Sequence, residues 1–404
     1  MQRRSMLAGV AGTALAPALG VHRVRAAEKP IRIGVLADLS GSLSDISGQG
    51  TVAAARMAVE DMGGSVLGRP IEVRVGDIQQ KVDIGVSIAR QWLDDGVDAL
   101  VDIPNSAVAL AVQDLVRDRK RVALMTGAGS AELTGPRCSP FSMQWTFDTW
   151  TVAHGIATQV VQDGGRSWFF ITTDYAFGLS LERSASEVVR AQGGKVVGGV
   201  RYPSDTTDFS SYLIQAQASG ADVIGLATNT AGAENIIKQA REFGIDGRRQ
   251  RLTTLLLYLA DVHALGLQVA QGILLEEAYY WDQNDAMRAY GERYFNKVGR
   301  MPTQTQAAPY SAVSHWLKAV AACGTSDGPT VTRQMQATPV NDFMTTNGQV
   351  RPDGRLARDM YIYRVKSPAE SKKPWDYYTL LHTIPAAQAT RPLSEGGCTP
   401  VSPT

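Results

Sequence analysis

The sequence has little of what most catalytic and metal sites are built from. Its 404 residues include five histidines and three cysteines, which are scattered without zinc-ligand spacing or a recognisable catalytic dyad. The P-loop G-x-x-x-x-G-K-[ST], the nucleophile elbow G-x-S-x-G and the zinc motif H-E-x-x-H are all missing. We therefore expect no metal, no cofactor and no enzymatic activity.

A large excess of positive or negative charge is also missing, and so are long apolar runs. The 40 Lys and Arg residues nearly balance the 39 Asp and Glu residues, and no basic cluster stands out, so no nucleic-acid partner is expected. Beyond the N-terminus, no segment is apolar for long enough to cross a membrane. The 44% apolar and 20% charged content is typical of a globular protein, and the length suffices for two domains.

The N-terminus has the pattern of an export signal. Arg3 and Arg4 precede the apolar run Met6–Val21, and no acidic residue occurs before Glu28. A small-x-small cleavage site ends at Ala26, which predicts a signal peptide over residues 1–26 and a periplasmic mature protein. The arginine pair leaves the Sec and twin-arginine routes open. A mitochondrial-type presequence or an unprocessed tail is the alternative.

Two of the three cysteines can pair in an oxidising compartment. Cys323 lies in the apolar stretch "WLKAVAAC" and is expected to be a buried helix residue. Cys138 and Cys398 both lie in loops rich in Gly, Pro and Ser. We favour a Cys138–Cys398 disulfide, although spacing alone does not determine connectivity.

Apolar runs alternate with amphipathic stretches along most of the chain, which predicts right-handed βαβ units and parallel sheets. The predicted strands are Ile31–Leu36, Ile71–Val75, Ala99–Ile103, Val122–Met125, Ser167–Thr172, Val196–Val200, Val223–Ala227, Leu252–Leu257 and Gly272–Glu276. The predicted helices between and after them are Gly50–Met62, Val82–Asp94, Ala107–Arg117, Leu179–Gln192, Ala233–Phe243 and Met287–Val298.

The alternation breaks over residues 126–150, where no strand is evident, and restarts at Thr151. This break predicts two α/β lobes. After Glu276 we expect helices over Asp285–Val298 and Tyr310–Cys323, then short strands at Gln349–Arg351 and Met360–Val365. The tail beyond Pro385 is rich in Pro, Ser and Gly and is expected to be irregular.

Residues Gly48 to Ala53 spell G-x-G-x-x-A, one form of the dinucleotide fingerprint. That loop requires the strand to lead directly into the glycine turn, because the pyrophosphate sits on the helix N-terminus. Here about ten residues separate the strand from Gly48, which breaks this geometry. We expect Gly48 to provide a tight turn into the first helix, whose N-terminus faces a ligand.

Short loops of Ser, Thr, Asn and Gly follow several predicted strands. Ligands bind at the carboxyl ends of parallel strands, and helix N-termini there suit a carboxylate. The alternative is that each polar residue caps its own helix. The loops are Ser40-Gly41-Ser42, Pro104-Asn105-Ser106-Ala107, Thr126-Gly127-Ala128-Gly129-Ser130, Thr173-Asp174-Tyr175 and Thr228-Asn229-Thr230.

The order and spacing of the stretches "IRIGVLADLSG", "IPNSAVALAV", "ALMTGAGSAELT", "TTDYAFG" and "GLATNT" resemble the periplasmic leucine/isoleucine/valine-binding family. Members of that family are the substrate-binding components of branched-chain amino acid-type ABC importers, and the resemblance covers residues 30–365. It implies two Rossmann-like lobes joined by a three-segment hinge, with the ligand in the cleft between them. The implied boundaries are 30–149 plus 278–338 for the N-terminal lobe and 150–277 plus 339–385 for the C-terminal lobe, followed by a tail over 386–404.

The resemblance also implies a set of ligand-binding residues, with backbone amides of the loop after the fourth strand facing a ligand carboxylate. The implied partners are a small carboxylate ligand and permease subunits in the inner membrane, and the protein is expected to be a monomer. The implied ligand-binding residues are Ser42, Ser47, Asn105, Ser106, Ala128, Gly129, Ser130, Tyr175, Phe177, Asn229, Leu256 and Tyr279.

The sequence departs from the family pattern where amino-acid-binding members carry an acidic residue for the ligand ammonium. Leu256 stands near that position, with Asp261 and Glu276 as possible substitutes. A desolvated ammonium without a carboxylate is costly, which disfavours a free α-amino acid. The adjacent carboxylates Asp94-Asp95 and Glu276-Glu277 point to different faces and are expected to be solvated.

Aromatic residues around the predicted cleft favour a planar ligand, and therefore an aromatic or other organic acid without an α-amine. The alternatives are a branched-chain amino acid or amide, a ligand-sensing receptor partner and, more remotely, an exported α/β enzyme. The aromatic residues are Trp145, Phe147, Trp150, Tyr175, Phe177, Tyr279, Tyr280 and Trp281.

Overall fold

The computed structural model of the protein describes residues 29–245 and 249–399. The predicted export signal lies outside these residues. The described chain is an α/β fold built on two parallel sheets, as the sequence predicts. None of the helices in this part of the chain combines the length and the apolarity that crossing a bilayer requires.

The strands, in chain order, are β1 Ile31–Ala37, β2 Ser65–Val66, β3 Arg69–Asp77, β4 Ala99–Asp102, β5 Val122–Met125, β6 Ser142–Gln144, β7 Ser167–Thr173, β8 Lys195–Tyr202, β9 Val223–Ala227, β10 Arg251–Thr254, β11 Leu274–Glu277, β12 Gln349–Val350, β13 Leu356–Ala357, β14 Met360–Val365 and β15 Tyr378–Ile384. The α-helices are α1 Gly48–Asp61, α2 Val82–Asp94, α3 Ser106–Asp118, α4 Thr149–Gln162, α5 Ala176–Ala191, α6 Ser210–Ala218, α7 Thr230–Glu242, α8 Leu259–Leu265, α9 Leu267–Ala270, α10 Asp285–Val298, α11 Gln304–Cys323, α12 Gly328–Ala337, α13 Ala386–Ala389 and α14 Leu393–Gly396.

The first sheet has the order β2-β3-β1-β4-β5-β6 and is parallel except where β2 pairs with β3. In the register of β1, Ile33 pairs with Val73 on one side and with Ala99 on the other. Both faces of β1 are buried, because Val35 packs into one core and Leu36 into the other. This explains why β1 is a continuous apolar run rather than an alternating one.

The second sheet has the order β10-β9-β7-β8 and is parallel throughout. Its central strand β7 is buried at every position. A third, antiparallel sheet has the order β11-β14-β15, and it packs against α4. We call the first sheet with α1, α2, α3, α10, α11 and α12 the first lobe, and the second and third sheets with α4 to α9 the second lobe.

The chain passes between these lobes at three places. It leaves β6 for α4, returns from β11 to α10, and crosses again between α12 and β14. Arg355, in the last of these connections, forms an isolated parallel bridge with Gln144 at the first. Arg358, in the same connection, donates to the Ala278 carbonyl oxygen at the second crossing at 2.7 Å. The three crossings therefore lie side by side, which is the arrangement that a hinge requires.

The glycine pattern before α1 has the conformational role predicted for it. Gly48 adopts a φ of +53°, which a residue with a side chain rarely does, and so provides the tight turn into the helix. A Cβ at Gly50 would lie 2.2 Å from the Tyr294 hydroxyl and 2.6 Å from Gln306 Nε2. Side chains of the first lobe therefore pack against Gly50, whereas Gln49 is exposed, and the expectation that this helix N-terminus faces a ligand stays a prediction.

The predicted disulfide is confirmed. Cys138 and Cys398 are bonded across 260 residues of sequence, with their Cα atoms 5.7 Å apart. The bond attaches the C-terminal tail to the first lobe. Cys323 is half-buried rather than fully buried, and its Sγ lies 3.8 Å from the Thr330 carbonyl oxygen.

Other differences from the sequence prediction are local. The strand predicted over Leu252–Leu257 ends at Thr254, and the strand predicted over Gly272–Glu276 pairs with β14 outside the main sheets. The tail beyond Pro385 is not wholly irregular, because it contains the short helices α13 and α14. The other elements that the prediction lacks are the strands β2, β6, β13 and β15 and the helices α4, α6, α8, α9 and α12.

Candidate ligand-binding cleft

The carboxyl ends of β1, β3 and β4 are joined by a buried polar network. Asp38 Oδ2 accepts hydrogen bonds from Gln80 Nε2 at 2.7 Å and from the Leu43 amide at 2.8 Å. Asn105 Nδ2 donates to Gln80 Oε1 at 2.8 Å, and Asn105 Oδ1 caps α3 by accepting from the Ala107 amide at 2.9 Å. Both the oxygen and the nitrogen of the Asn105 side-chain amide are thus hydrogen-bonded within the first lobe. Asn105 therefore caps its own helix, which is the alternative to a ligand-binding role.

Asp102 ends β4 in an unusual backbone conformation. Its φ is +77° and that of the β-branched Ile103 is +57°, a pair that costs conformational energy. The carboxylate is fully buried and accepts hydrogen bonds from Ser47 Oγ and, at 3.3 Å, from Thr126 Oγ1. A Cβ at Gly127 would lie 2.8 Å from Asp102 Oδ1, so this carboxyl packs directly against the loop after β5.

Burial raises the pKa of Asp102 from 3.8 to about 7, against the lowering effect of its hydrogen bonds. From about pH 4 to pH 7 the unfolded chain loses this proton before the folded chain does, so the wild type loses about 4 kcal/mol of unfolding free energy as the pH rises. Asp102→Asn has no proton to lose. Its unfolding free energy relative to wild type should therefore increase between pH 4 and pH 8, as measured by urea denaturation. A difference that does not change with pH would contradict the raised pKa.

The loop after β5 presents amide donors beside the start of α3. Ser106 Oγ accepts a hydrogen bond from the Ser130 amide at 3.2 Å, and the Gly129 carbonyl oxygen accepts one from the Thr149 amide at 2.7 Å. The amides of Ala128 and Gly129 are buried and donate no hydrogen bond to another described residue. Buried amides normally have a partner, so these two donors are available for an anion.

A group of rings lies against this loop, and we call Phe147, Tyr175, Phe177 and Tyr258 the aromatic wall. Phe147 meets Phe177 edge-on with centroids 6.4 Å apart, and it meets Tyr258 edge-on at 6.0 Å. Tyr175 and Phe177 are 6.2 Å apart. A Cβ at Gly129 would lie 2.5 Å from the Phe147 ring and 2.8 Å from the Phe177 ring. The first-lobe loop is therefore in direct contact with rings of the second lobe.

Beyond the aromatic wall lies a group of buried polar side chains, Tyr258, Glu277 and Gln304, which we call the polar floor. Glu277 Oε1 accepts a hydrogen bond from the Tyr378 hydroxyl at 2.8 Å, and Gln304 Oε1 accepts one from the Ala278 amide at 2.8 Å. Glu277 Oε2, Gln304 Nε2 and the Tyr258 hydroxyl have no well-aligned partner among the described residues. Burial raises the pKa of Glu277 well above its usual value, which favours the protonated carboxyl.

Asn229 closes the second-lobe side of the site. Its Oδ1 caps α7 by accepting from the Gly232 amide at 2.9 Å. Burial raises the pKa of the Tyr175 hydroxyl, and a hydrogen bond with Asn229 opposes that rise. Asn229 therefore caps its helix and also positions a ring of the aromatic wall.

The structure brings most of the predicted residues together but places four of them elsewhere. Ser42 is exposed on the first loop, and Ser47 is buried beneath Asp102. Leu256 is buried in the core after β10. The Tyr279 hydroxyl donates to the Met287 carbonyl oxygen at 3.3 Å, which directs that side chain toward α10.

The acidic residues considered as substitutes are also placed differently from expectation. Glu276 and Glu277 are both buried, so the expectation that this pair is solvated is wrong. They lie on opposite faces of β11, and Glu277 faces Tyr258 and Gln304. Asp261 Oδ2 accepts from the Tyr258 amide at 2.7 Å and so serves the start of α8. Sequence reasoning missed Glu277, Gln304 and Tyr258.

Where the two lobes meet, the structure thus brings together two buried backbone amides, four aromatic rings and a group of buried polar side chains. Within the described ranges, no group of three or more His, Cys, Asp or Glu side chains is arranged to hold a metal ion. The arrangement suits a small flat molecule with one anionic end, held between two lobes.

Comparisons with known proteins identify the family and the fold. The family profile described as "Periplasmic binding protein" matches residues 30–373. A periplasmic binding protein from Burkholderia mallei is 45% identical, with a TM-score of 0.90 over 92% of this chain and 99% of that chain. A branched chain amino acid ABC transporter periplasmic ligand-binding protein from Burkholderia xenovorans LB400 is 40% identical, with a TM-score of 0.82 and the same coverage.

More distant proteins share the fold. A solute binding protein of an ABC transporter from R. palustris, solved in complex with benzoate, is 18% identical with a TM-score of 0.80 over 92% of this chain and 99% of that chain. Leu/Ile/Val-binding protein homolog 6 of Brucella abortus is 24% identical over 193 residues, which are 47% of this chain and 49% of that protein. The chain therefore spans about half the length of the curated relatives it matches. With two α/β lobes of the type I fold and a profile match over most of its length, the chain belongs to the periplasmic binding protein family.

Proposed function

We propose that this protein captures a small aromatic carboxylate, or a similar organic acid without an α-amine, by closing its two lobes over the ligand. The observation that supports this most strongly is the close approach of Gly129, beside the unpaired Ala128 and Gly129 amides, to the Phe147 and Phe177 rings of the aromatic wall. Residues 30–149 with 278–338, and 150–277 with 339–385, would move as the two units. The ligand would shift the equilibrium from the open to the closed form, because some of its contacts are made only in the closed form.

The carboxylate end of the ligand would be bound by the loop after β5. The amides of Ala128 and Gly129 supply two donors, and the N-terminus of α3 adds a favourable partial charge. Asn105 takes the Ala107 and Val108 amides for its own cap, so the loop amides rather than these helix amides meet the anion. Hydrogen bonds from backbone donors to an anion are stronger than neutral ones.

The body of the ligand would pack against the aromatic wall. Edge-on and tilted rings around a flat molecule provide favourable contacts beyond area burial, typically about 0.5–1.5 kcal/mol for each pair. Tyr175, Phe177 and Tyr258 belong to the second lobe, while Gly129 belongs to the first. A planar ligand in this position contacts both lobes at once, which is how it would stabilise closure.

The polar floor is expected to meet the far end of the ligand. A protonated Glu277 and the Tyr258 hydroxyl suit a ligand hydroxyl, because each both donates and accepts hydrogen bonds. A free α-amino acid is the second candidate, since its ammonium would ionise Glu277 and pair with the free Oε2. We favour the organic acid because forming that buried ion pair requires desolvation of both charges.

In this proposal the protein performs no chemistry and delivers its ligand, from the periplasm, to the permease of an ABC importer. A receptor partner that reads the closed form is the alternative. Uptake of radiolabelled ligand by cells that carry or lack the gene separates these roles. Loss of uptake supports delivery, whereas unchanged uptake with a lost transcriptional response supports sensing.

A thermal-shift panel on the mature protein tests the ligand class. We expect benzoate and 4-hydroxybenzoate to raise Tm, and benzamide, leucine, valine and phenylalanine to raise it less, because binding only the folded state stabilises it. Ser106→Ala should weaken binding about tenfold, since it removes the acceptor that positions the Ser130 amide. The exposed Ser211→Ala is the control and should bind as wild type does. Stronger shifts with leucine than with either benzoate would favour the amino-acid candidate.

A further inference from the structure

An open cavity lies in the second lobe, outside the cleft. It has a volume of about 630 Å³ and is bordered by α4, by strands β14 and β15 and by the C-terminal tail. Its lining includes Trp150, His154, Glu276, His382 and Glu395. None of these residues belongs to the aromatic wall or to the polar floor.

Glu276 is the unexplained group in this cavity. Its side chain is buried, the residue being 3% exposed, and neither carboxylate oxygen has a hydrogen-bond partner among the described residues. A Cβ at Gly155 would lie 1.9 Å from Glu276 Oε2, so the glycine on α4 is what leaves room for the carboxyl. A buried carboxyl without a partner is costly, and such groups occur mostly where a ligand or a function requires them.

The rest of the cavity suits a cation with an apolar body. Trp150 and His154 stack with centroids 4.4 Å apart and an interplanar angle of 13°, which forms a flat platform. Burial lowers the pKa of the His154 imidazole, and the nearby carboxylate of Glu395 partly opposes that effect. The described lining contains Glu276 and Glu395 but no lysine or arginine, although the positive charge of Arg355, outside the lining, also acts on Glu276. Burial raises the pKa of Glu276 well above its usual value, which favours a neutral carboxyl that a bound ammonium would ionise.

We propose that this cavity is a binding site for a small organic cation, a primary ammonium attached to an apolar or aromatic group. The ammonium would donate to the carboxylate of Glu276, and the apolar group would lie on the Trp150–His154 platform, with a cation–π contribution from the indole. Ile362 and Ile384 add apolar surface to the lining. The site is independent of the cleft, and the proposal does not rest on the function proposed above.

The test uses the mature protein and benzylammonium chloride, with benzyl alcohol as the uncharged probe, in isothermal titration calorimetry. We expect benzylammonium to bind with one site per chain, benzyl alcohol to bind at least about tenfold more weakly, and 4-hydroxybenzoate not to compete. Glu276→Gln should weaken benzylammonium binding about tenfold, while the exposed Glu187→Gln should not change it.

The comparison of the two probes on the wild type stands even if Glu276→Gln fails to fold. Absence of benzylammonium binding at millimolar concentration, or equal binding of the charged and uncharged probes, would overturn the proposal. So would competition by 4-hydroxybenzoate, because that result would place the cation in the cleft. Unchanged binding of benzylammonium by a folded Glu276→Gln variant would also overturn it, because the ammonium would then not be bound by the Glu276 carboxylate.

Discussion

Gly129→Ala should weaken ligand binding about 100-fold or more while leaving the ligand-free protein folded. A Cβ at this position lies 2.5 Å from the Phe147 ring and 2.8 Å from the Phe177 ring, distances that real Cβ atoms do not reach. Since Phe177 belongs to the second lobe, the extra methyl group prevents the lobes from closing against the loop. Calorimetric titration with whichever benzoate shifts Tm most gives the affinity, and circular dichroism confirms the fold.

Gly396→Ala is the matched control, because a Cβ there has only the Thr134 carbonyl oxygen nearby, at 3.9 Å. Its affinity should equal that of the wild type. Small-angle scattering adds an independent readout, since the Gly129→Ala variant should keep the dimensions of the open form when ligand is added. Wild-type affinity in Gly129→Ala would show that the contact between this loop and the aromatic wall does not belong to the bound state.

Arg355→Met should lower the free energy of unfolding by about 3–5 kcal/mol. Arg355 is 2% exposed, its Nε lies 3.1 Å from Asp148 Oδ2, and it donates to the Gln144 and Thr146 carbonyl oxygens at 3.2 and 3.0 Å. Methionine fills a similar volume but leaves the Asp148 carboxylate buried without its partner. Because Arg355 joins two of the three lobe crossings, the loss is expected at the hinge. Urea denaturation measures it.

Two further variants separate the ion pair from a general effect of removing an arginine. Arg119→Met breaks an exposed pair with Asp94 and should cost no more than about 1 kcal/mol. Adding Asp148→Asn to Arg355→Met removes the unpaired charge but keeps the cap that Asp148 provides to the Thr151 amide at 2.7 Å, and it should recover part of the stability. Equal losses for Arg355→Met and Arg119→Met would contradict the account of the hinge.

Much of the fold was predictable because parallel strands buried on both faces leave a plain signal. β1, with Val35 in one core and Leu36 in the other, is a continuous apolar run, and the helices between strands are amphipathic. An apolar run reports burial, however, and not hydrogen bonding. This is why the strand predicted over Leu252–Leu257 continues past Thr254, where β10 ends. The three-residue strand β6 carries two polar residues and gives no such signal.

The candidate site was predictable in outline only. The loop holding Gly129 was identified from its position at a strand end, where helix N-termini and parallel strands meet, and the ring of Phe177 from the family resemblance. Tyr258 was missed because the misplaced end of β10 directed attention to Leu256. Glu276 and Glu277 were expected to be solvated, since alternation along a strand places them on opposite faces but does not show that both faces are covered. Here α4 covers one face, and Gln304 lies on the other.

The central claim is that the cleft binds an aromatic carboxylate and releases it unchanged. The most direct measurement is calorimetric titration of the mature protein with 4-hydroxybenzoate and with leucine, followed by mass spectrometry of the recovered ligand. The account predicts one site per chain, an affinity for 4-hydroxybenzoate at least about tenfold higher than for leucine, and recovery of the intact acid. Tighter binding of leucine, or conversion of the acid to a product, would contradict it.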